Sequence, residues 1–108
     1  MNKHEEQART LHSQGNNCST SVYKAFLEDT KLDGTIPPPR SIAGKCGAVL
    51  AAEKILKECG KEAKIQEFEK NFISRFGYAT CIDLMKAERR CNDYVGDSVS
   101  LVDKILSE

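Results

Sequence analysis

Apolar positions recur at three- and four-residue spacing along most of the chain, and no segment alternates convincingly with period two. The pattern predicts a first helix from about Lys3 to Gln14, polar apart from Ala8 and Leu11 on one side, with Gly15 as its stop. A second helix covers about Cys18 to Asp29. Asn16 or Asn17 caps it, and Cys18, Val22, Ala25 and Phe26 share one face. A third starts near Cys46 or Gly47 and ends at Cys59 before Gly60. Its stripe is Ala48, Ala52, Ile55 and Cys59, flanked by Val49 and Leu56. A fourth runs from about Glu62 to Phe76, with Ile65, Phe68, Phe72 and Phe76 on one face, and stops at Gly77. Thr80 caps a fifth, with Cys81, Leu84 and Met85 on one face. A final helix reaches Leu106 with the stripe Cys91, Val95, Ser98, Val102 and Ile105. The expected architecture is a small all-α bundle of five or six helices, one cysteine-rich domain over residues 1–108.

Two places interrupt this pattern. Thr30 to Lys45 holds Gly34, Pro37, Pro38, Pro39 and Gly44, so it is expected to be a long irregular loop. One reading makes it a cover over a functional site, and the other makes it a plain connector. The second place is the stretch from Cys81 to Tyr94, which has neither proline nor glycine. A continuous helix there would hold Cys81 and Cys91 about 15 Å apart. A break near Glu88 to Arg90, with Asn92 or Asp93 as cap, would let them meet.

Composition narrows the function classes. Lys and Arg number 16 and Asp and Glu number 16, so no bulk charge pulls the chain toward nucleic acid or acidic lipid. The longest apolar run, Ala48 to Ala52, is far too short for a membrane span. The N-terminal stretch has no apolar signal region, so the chain reads as cytoplasmic. Thiols stay mostly reduced there, which favours metal-binding or redox cysteines over a structural disulfide framework.

The cysteines are the candidate chemistry. Cys18, Cys46, Cys81 and Cys91 each fall at or near a predicted helix start, where unpaired N–H groups and the helix dipole favour a thiolate. Gly44 and Gly47 bracket Cys46 and leave the backbone open to a ligand or a second sulfur, while Arg40 and Lys45 add positive charge. Arg89 and Arg90 do the same for Cys91. Cys59 closes a helix between Glu58 and Glu62 and is expected to be an unactivated thiol. There is no Cys-x-x-Cys pair, which excludes a zinc ribbon and a thioredoxin motif. His4 and His12 sit in the polar first helix and read as surface residues. The phenylalanine stripe reads as core, and no phosphate loop or Ser-His-Asp set is evident.

At these residues the chain resembles a redox-active protein family named for its C-GCAxxG-C-C cysteine pattern. The likeness runs from about Gly15 to Leu106. Gly15-Asn16-Asn17-Cys18 is similar to the family's Gly-x-Asn-Cys start, and Cys46-Gly47-Ala48-Val49-Leu50-Ala51 to its central Cys-Gly-Ala-x-x-Gly. Phe76-Gly77 before Cys81, then Cys91 with Tyr94-Val95, are similar to its last two segments. Ala51 stands where the pattern has its final glycine. The resemblance implies redox activity. An iron–sulfur cluster is a further implication, because a related helical cysteine domain in a multihaem cytochrome carries one.

The expectation is therefore a redox-active protein whose Cys18, Cys46, Cys81 and Cys91 gather into one sulfur-rich site. That site would bind an iron–sulfur cluster or zinc for electron transfer, with Gly44 and Gly47 beside the cofactor. Metal-free thiol–disulfide exchange is the second reading, and a non-catalytic helical interaction module with core cysteines is the third. The partner would be a redox protein of unknown identity, with a second copy of the chain as another candidate. Neither nucleic acid nor membrane insertion is expected.

Overall fold

The computed structural model describes residues 3–27, 32–37, 46–77 and 91–107, leaving aside the side chains of Phe76 and Cys91. Among these residues the protein is all-α. The helices are α1 (Lys3–Ser13), α2 (Cys18–Leu27), α3 (Gly47–Glu58), α4 (Ile65–Phe76) and α5 (Cys91–Leu106), with a short 3₁₀ turn at Glu62–Lys64. Sequence reasoning expected one helix from Glu62, whereas the α-helix proper begins at Ile65. No helix among the described residues is long and apolar enough to cross a membrane. The predicted fifth helix with Cys81, and the expected break near Glu88 to Arg90, lie outside the described residues.

The predicted stops operate. Gly60 and Gly77 take left-handed φ values of 76° and 87°, a conformation that costs a residue with a Cβ. The turn between α1 and α2 is built by Gly15-Asn16-Asn17. The Asn16 amide donates to the Leu11 carbonyl (2.8 Å), closing the end of α1, and the Thr20 N–H donates to Asn17 Oδ1 (2.8 Å), capping the start of α2.

Contacts along each pair fix the helix directions. His4 meets Asp103 while Arg9 meets Asn92 and Asp93, so α1 and α5 are antiparallel. His4 stacks on Phe26 while His12 meets Cys18, so α1 and α2 are antiparallel. Ser19 meets Gly47 and Tyr23 meets Glu58, so α2 and α3 run in the same direction. Consequently α2, α3 and α5 all begin at one end of the bundle. Parallel neighbours cannot be joined by a tight turn, which accounts for the long connection between α2 and α3. α5 packs against all four other helices.

The core follows the predicted stripes. Val22, Ala25 and Phe26 of α2, Ala48, Ala52 and Ile55 of α3, Phe68 and Phe72 of α4, and Val95, Val102 and Ile105 of α5 are all buried. α2 is buried more completely than one stripe implies, since Ser19, Ser21 and Tyr23 are enclosed as well. Ala51 is fully buried within the core, so a methyl group is accommodated where the family pattern has glycine.

Candidate functional site

The site grows out of the turn that ends α1. Gly15 and the two asparagines reverse the chain within four residues, and this places His12 beside Cys18 at the first turn of α2. His12 Nε2 lies 3.8 Å from Cys18 Sγ. Ser19 Oγ donates to the buried Gly47 carbonyl (3.1 Å), tying the start of α2 to the start of α3. Cys46 occupies the N-cap position of α3 with extended backbone angles. Gly47 is therefore part of the contact between the two helices, and its carbonyl is engaged by Ser19.

This arrangement sets the two sulfurs against each other. Cys46 is buried and Cys18 half-buried, and neither is in a disulfide. The Cys46 thiol is lowered to about 7, first by a hydrogen bond from the Cys18 thiol, then, against the opposing effect of burial, by the amides of Ala48 and Val49. The sulfur faces those amides without closing a capping hydrogen bond of ordinary geometry. A core cysteine held only by burial would shift the other way, as Cys59 does. Burial and the carboxylate of Glu58 raise the Cys59 thiol, in agreement with its expected inertness.

Both histidines, expected at the surface, are half-buried and engaged. His4 stacks on Phe26 with centroids 4.3 Å apart and bonds Asp103. His12 joins the sulfur site and is linked to α5. Its Nδ1 lies 3.4 Å from the Asn92 side-chain nitrogen. That amide also donates to the Arg9 carbonyl (3.1 Å), and its Oδ1 accepts from Arg9 Nη1 (3.2 Å). Arg9 is itself held by Glu5 and Asp93 and covers Gly96, the glycine against which its guanidinium lies. The signal for His12 was present in the sequence. Once Gly15 ends one helix and Asn17 caps the next, the last turn of the first must lie against the first turn of the second.

Of the four predicted cysteines, Cys18 and Cys46 come together. Cys91 begins α5, one residue from the Asn92 that contacts His12, so its backbone lies at the same end of the bundle. The Cys91 side chain, Cys81, Gly44, Arg40 and Lys45 lie outside the described residues. Among the described residues no group of three His, Cys, Asp or Glu side chains is arranged to hold a metal.

The loop between α2 and α3 contributes a second polar cluster at the other end. Asp33 and Glu58 both accept from the Tyr23 hydroxyl (3.0 and 2.7 Å), the Asp33 amide donates to Glu58, and Lys54 bridges the two carboxylates. Burial, then the two carboxylates, push the Tyr23 hydroxyl strongly up. Glu58 closes α3 about 18 Å from Cys46 at helical rise. The described part of the loop, 32–37, is therefore anchored at the far end of α3 from Cys46, and the rest of the loop, with Pro38, Pro39 and Gly44, lies outside the described residues.

No protein-family model, curated protein or solved structure matches the chain. The resemblance to the C-GCAxxG-C-C family rests on the cysteine segments themselves.

Proposed function

We propose that the protein is redox-active through sulfur, with Cys18 and Cys46 as a dithiol–disulfide pair. The observation that supports this is the Cys18 thiol donating to Cys46 at the start of α3, where the pair loses its first proton near neutral pH. Cys18 is the more accessible sulfur and attacks first. Its proton passes to Cys46 across their hydrogen bond. The Cys18 thiolate then attacks a disulfide R–S–S–R, forming Cys18–S–S–R and releasing RS⁻. Cys46 gives its proton to the released thiolate and attacks the Cys18 sulfur, expelling the second RS⁻. The pair loses two electrons, and the substrate disulfide gains them.

Trapping tests this reading. With oxidised glutathione, the Cys46→Ser variant should accumulate a mixed disulfide at Cys18, while the wild-type protein should resolve it to a Cys18–Cys46 disulfide. A mixed disulfide that persists on wild-type Cys18, or forms only at Cys59, would count against it.

A metal-bound reading has its own support: the cysteine-bearing helices α2, α3 and α5 all begin at one end. Cysteine thiolates are soft donors suited to zinc or an iron–sulfur cluster. Cys18 and Cys46 would hold the group with Cys81 and Cys91, and a cluster so bound would supply one-electron transfer. Absorbance and metal analysis of protein purified without oxygen, compared with Cys91→Ser, test that reading. Metal-free, colourless protein would remove it.

A further inference from the structure

The hydrogen bonds around His12 have a definite direction. Arg9 carries only donors, so the Asn92 atom that it bonds must be the amide oxygen. The Arg9 carbonyl carries only lone pairs, so the Asn92 atom beside it must be the amide nitrogen. Both constraints orient the Asn92 amide the same way and turn its second N–H toward His12 Nδ1. Nδ1 is therefore an acceptor. A neutral imidazole has one donor and one acceptor nitrogen, so the ring proton lies on Nε2, the nitrogen that faces Cys18 Sγ at 3.8 Å.

From this geometry we propose that His12 is a positioning residue for Cys18: held in one tautomer by Asn92 and Arg9, it donates its Nε2–H to the Cys18 sulfur. The relay runs from Arg9 through Asn92 and His12 to Cys18. It crosses from α1 to α5, returns to α1 at His12 and ends on α2, so three helices fix one sulfur. In the attacking step His12 keeps its proton and stabilises the charge on Cys18 while that sulfur forms its bond to the substrate sulfur. The step rests on the dithiol reading above. The hydrogen-bond assignment stands on the geometry alone.

The test uses the full chain and 5,5′-dithiobis(2-nitrobenzoate) as the disulfide probe. The reaction is quenched at intervals, and the adducts are located by peptide mass. His12→Leu removes the donor, and His12→Gln restores an N–H on a polar side chain. A charged-group hydrogen bond raises the thiolate population about tenfold, and the accompanying fall in nucleophilicity returns part of that gain. Adduct formation at Cys18 should therefore slow about threefold or more in His12→Leu and recover in His12→Gln. Closure to the Cys18–Cys46 disulfide should change less than about twofold in both. An unchanged Cys18 rate in a folded His12→Leu protein would overturn the assignment. Equal slowing in both variants would do the same, because it would show a space-filling role. The tautomer of His12 in the wild-type protein, read from its ring nitrogen shifts at mildly alkaline pH, needs no variant to fold. A proton on Nε2 is expected, and a proton on Nδ1 would overturn the proposal. Absence of any Cys18–Cys46 disulfide in the wild type would instead remove the dithiol reading, leaving the tautomer to judge His12.

Discussion

Replacing Cys18 with alanine removes the largest influence on the Cys46 thiol while leaving its helix start intact. Cys46 then keeps the amides of Ala48 and Val49 and remains subject to burial, which opposes them. A hydrogen bond to a charged group contributes about 1.5–3 kcal/mol, and a thiol is a weak donor, so the low end applies. Dividing by about 1.4 kcal/mol per unit gives a rise of about one unit. From about 7, Cys46 should move to ~8, so its thiolate fraction at neutral pH falls from about half to about a tenth. The assay is a pH titration of carbon-13-labelled cysteine Cβ shifts, which follows each sulfur separately. Stability carries the same signature. The folded thiol lies below its unfolded value, so the stabilisation is full above the unfolded pKa of about 8.5 and is lost as pH falls through 7. The wild-type protein should gain about 2 kcal/mol across that window, and Cys18→Ala about 1 kcal/mol less. A Cys46 midpoint unchanged in Cys18→Ala would refute the claim that the two sulfurs share a proton.

Other substitutions test the frame that holds the site. Tyr23→Phe deletes the hydroxyl that bonds Asp33 and Glu58, and should lower unfolding free energy by about 1–2 kcal/mol in denaturant without altering Cys46; no loss would mean that the cluster adds nothing to stability. Asn17→Ala removes the α2 cap and should cost about 1 kcal/mol by the same measurement. Gly96→Ala sets two effects against each other. Alanine gains about 1 kcal/mol of helix propensity, but its methyl would overlap the Arg9 guanidinium. The substitution should therefore stabilise an Arg9→Ala background more than the wild-type protein, where the guanidinium must shift from Asn92 and Asp93, and an equal effect in both would contradict the contact.

Much of the fold could be read from local signals. Gly60 and Gly77 end helices where expected because a left-handed residue is a local requirement, and the stripes from Val22 to Ile105 are buried because helical periodicity sorts residues by face. The pairing of Cys18 with Cys46 was legible only in part. Helix starts could be marked, but their common end depends on α2 and α3 being parallel, which no local pattern encodes. Arg40 and Lys45, expected to favour the Cys46 thiolate, lie outside the described residues; the described contributions come from Cys18 and two amides, long-range and backbone effects respectively. The role of His12 is masked in the sequence by the polar character of the first helix, and Arg9 and Asn92, which surround it, stand far apart in the chain. Tyr23 lies off the predicted stripe of α2 yet is buried and reaches a loop carboxylate, a contact set by the docking of residues 32–37.

The proposed pairing of Cys18 with Cys46 as one reversible redox couple is open to a redox titration. The metal-free protein is equilibrated in glutathione buffers of graded potential and quenched with acid and alkylating agent, and each cysteine is mapped by mass. Cys18 and Cys46 should become protected together, as one disulfide, in a single two-electron transition. The pairing is contradicted if both remain alkylatable across the range, or if Cys18 oxidises to a different cysteine while Cys46 stays a thiol.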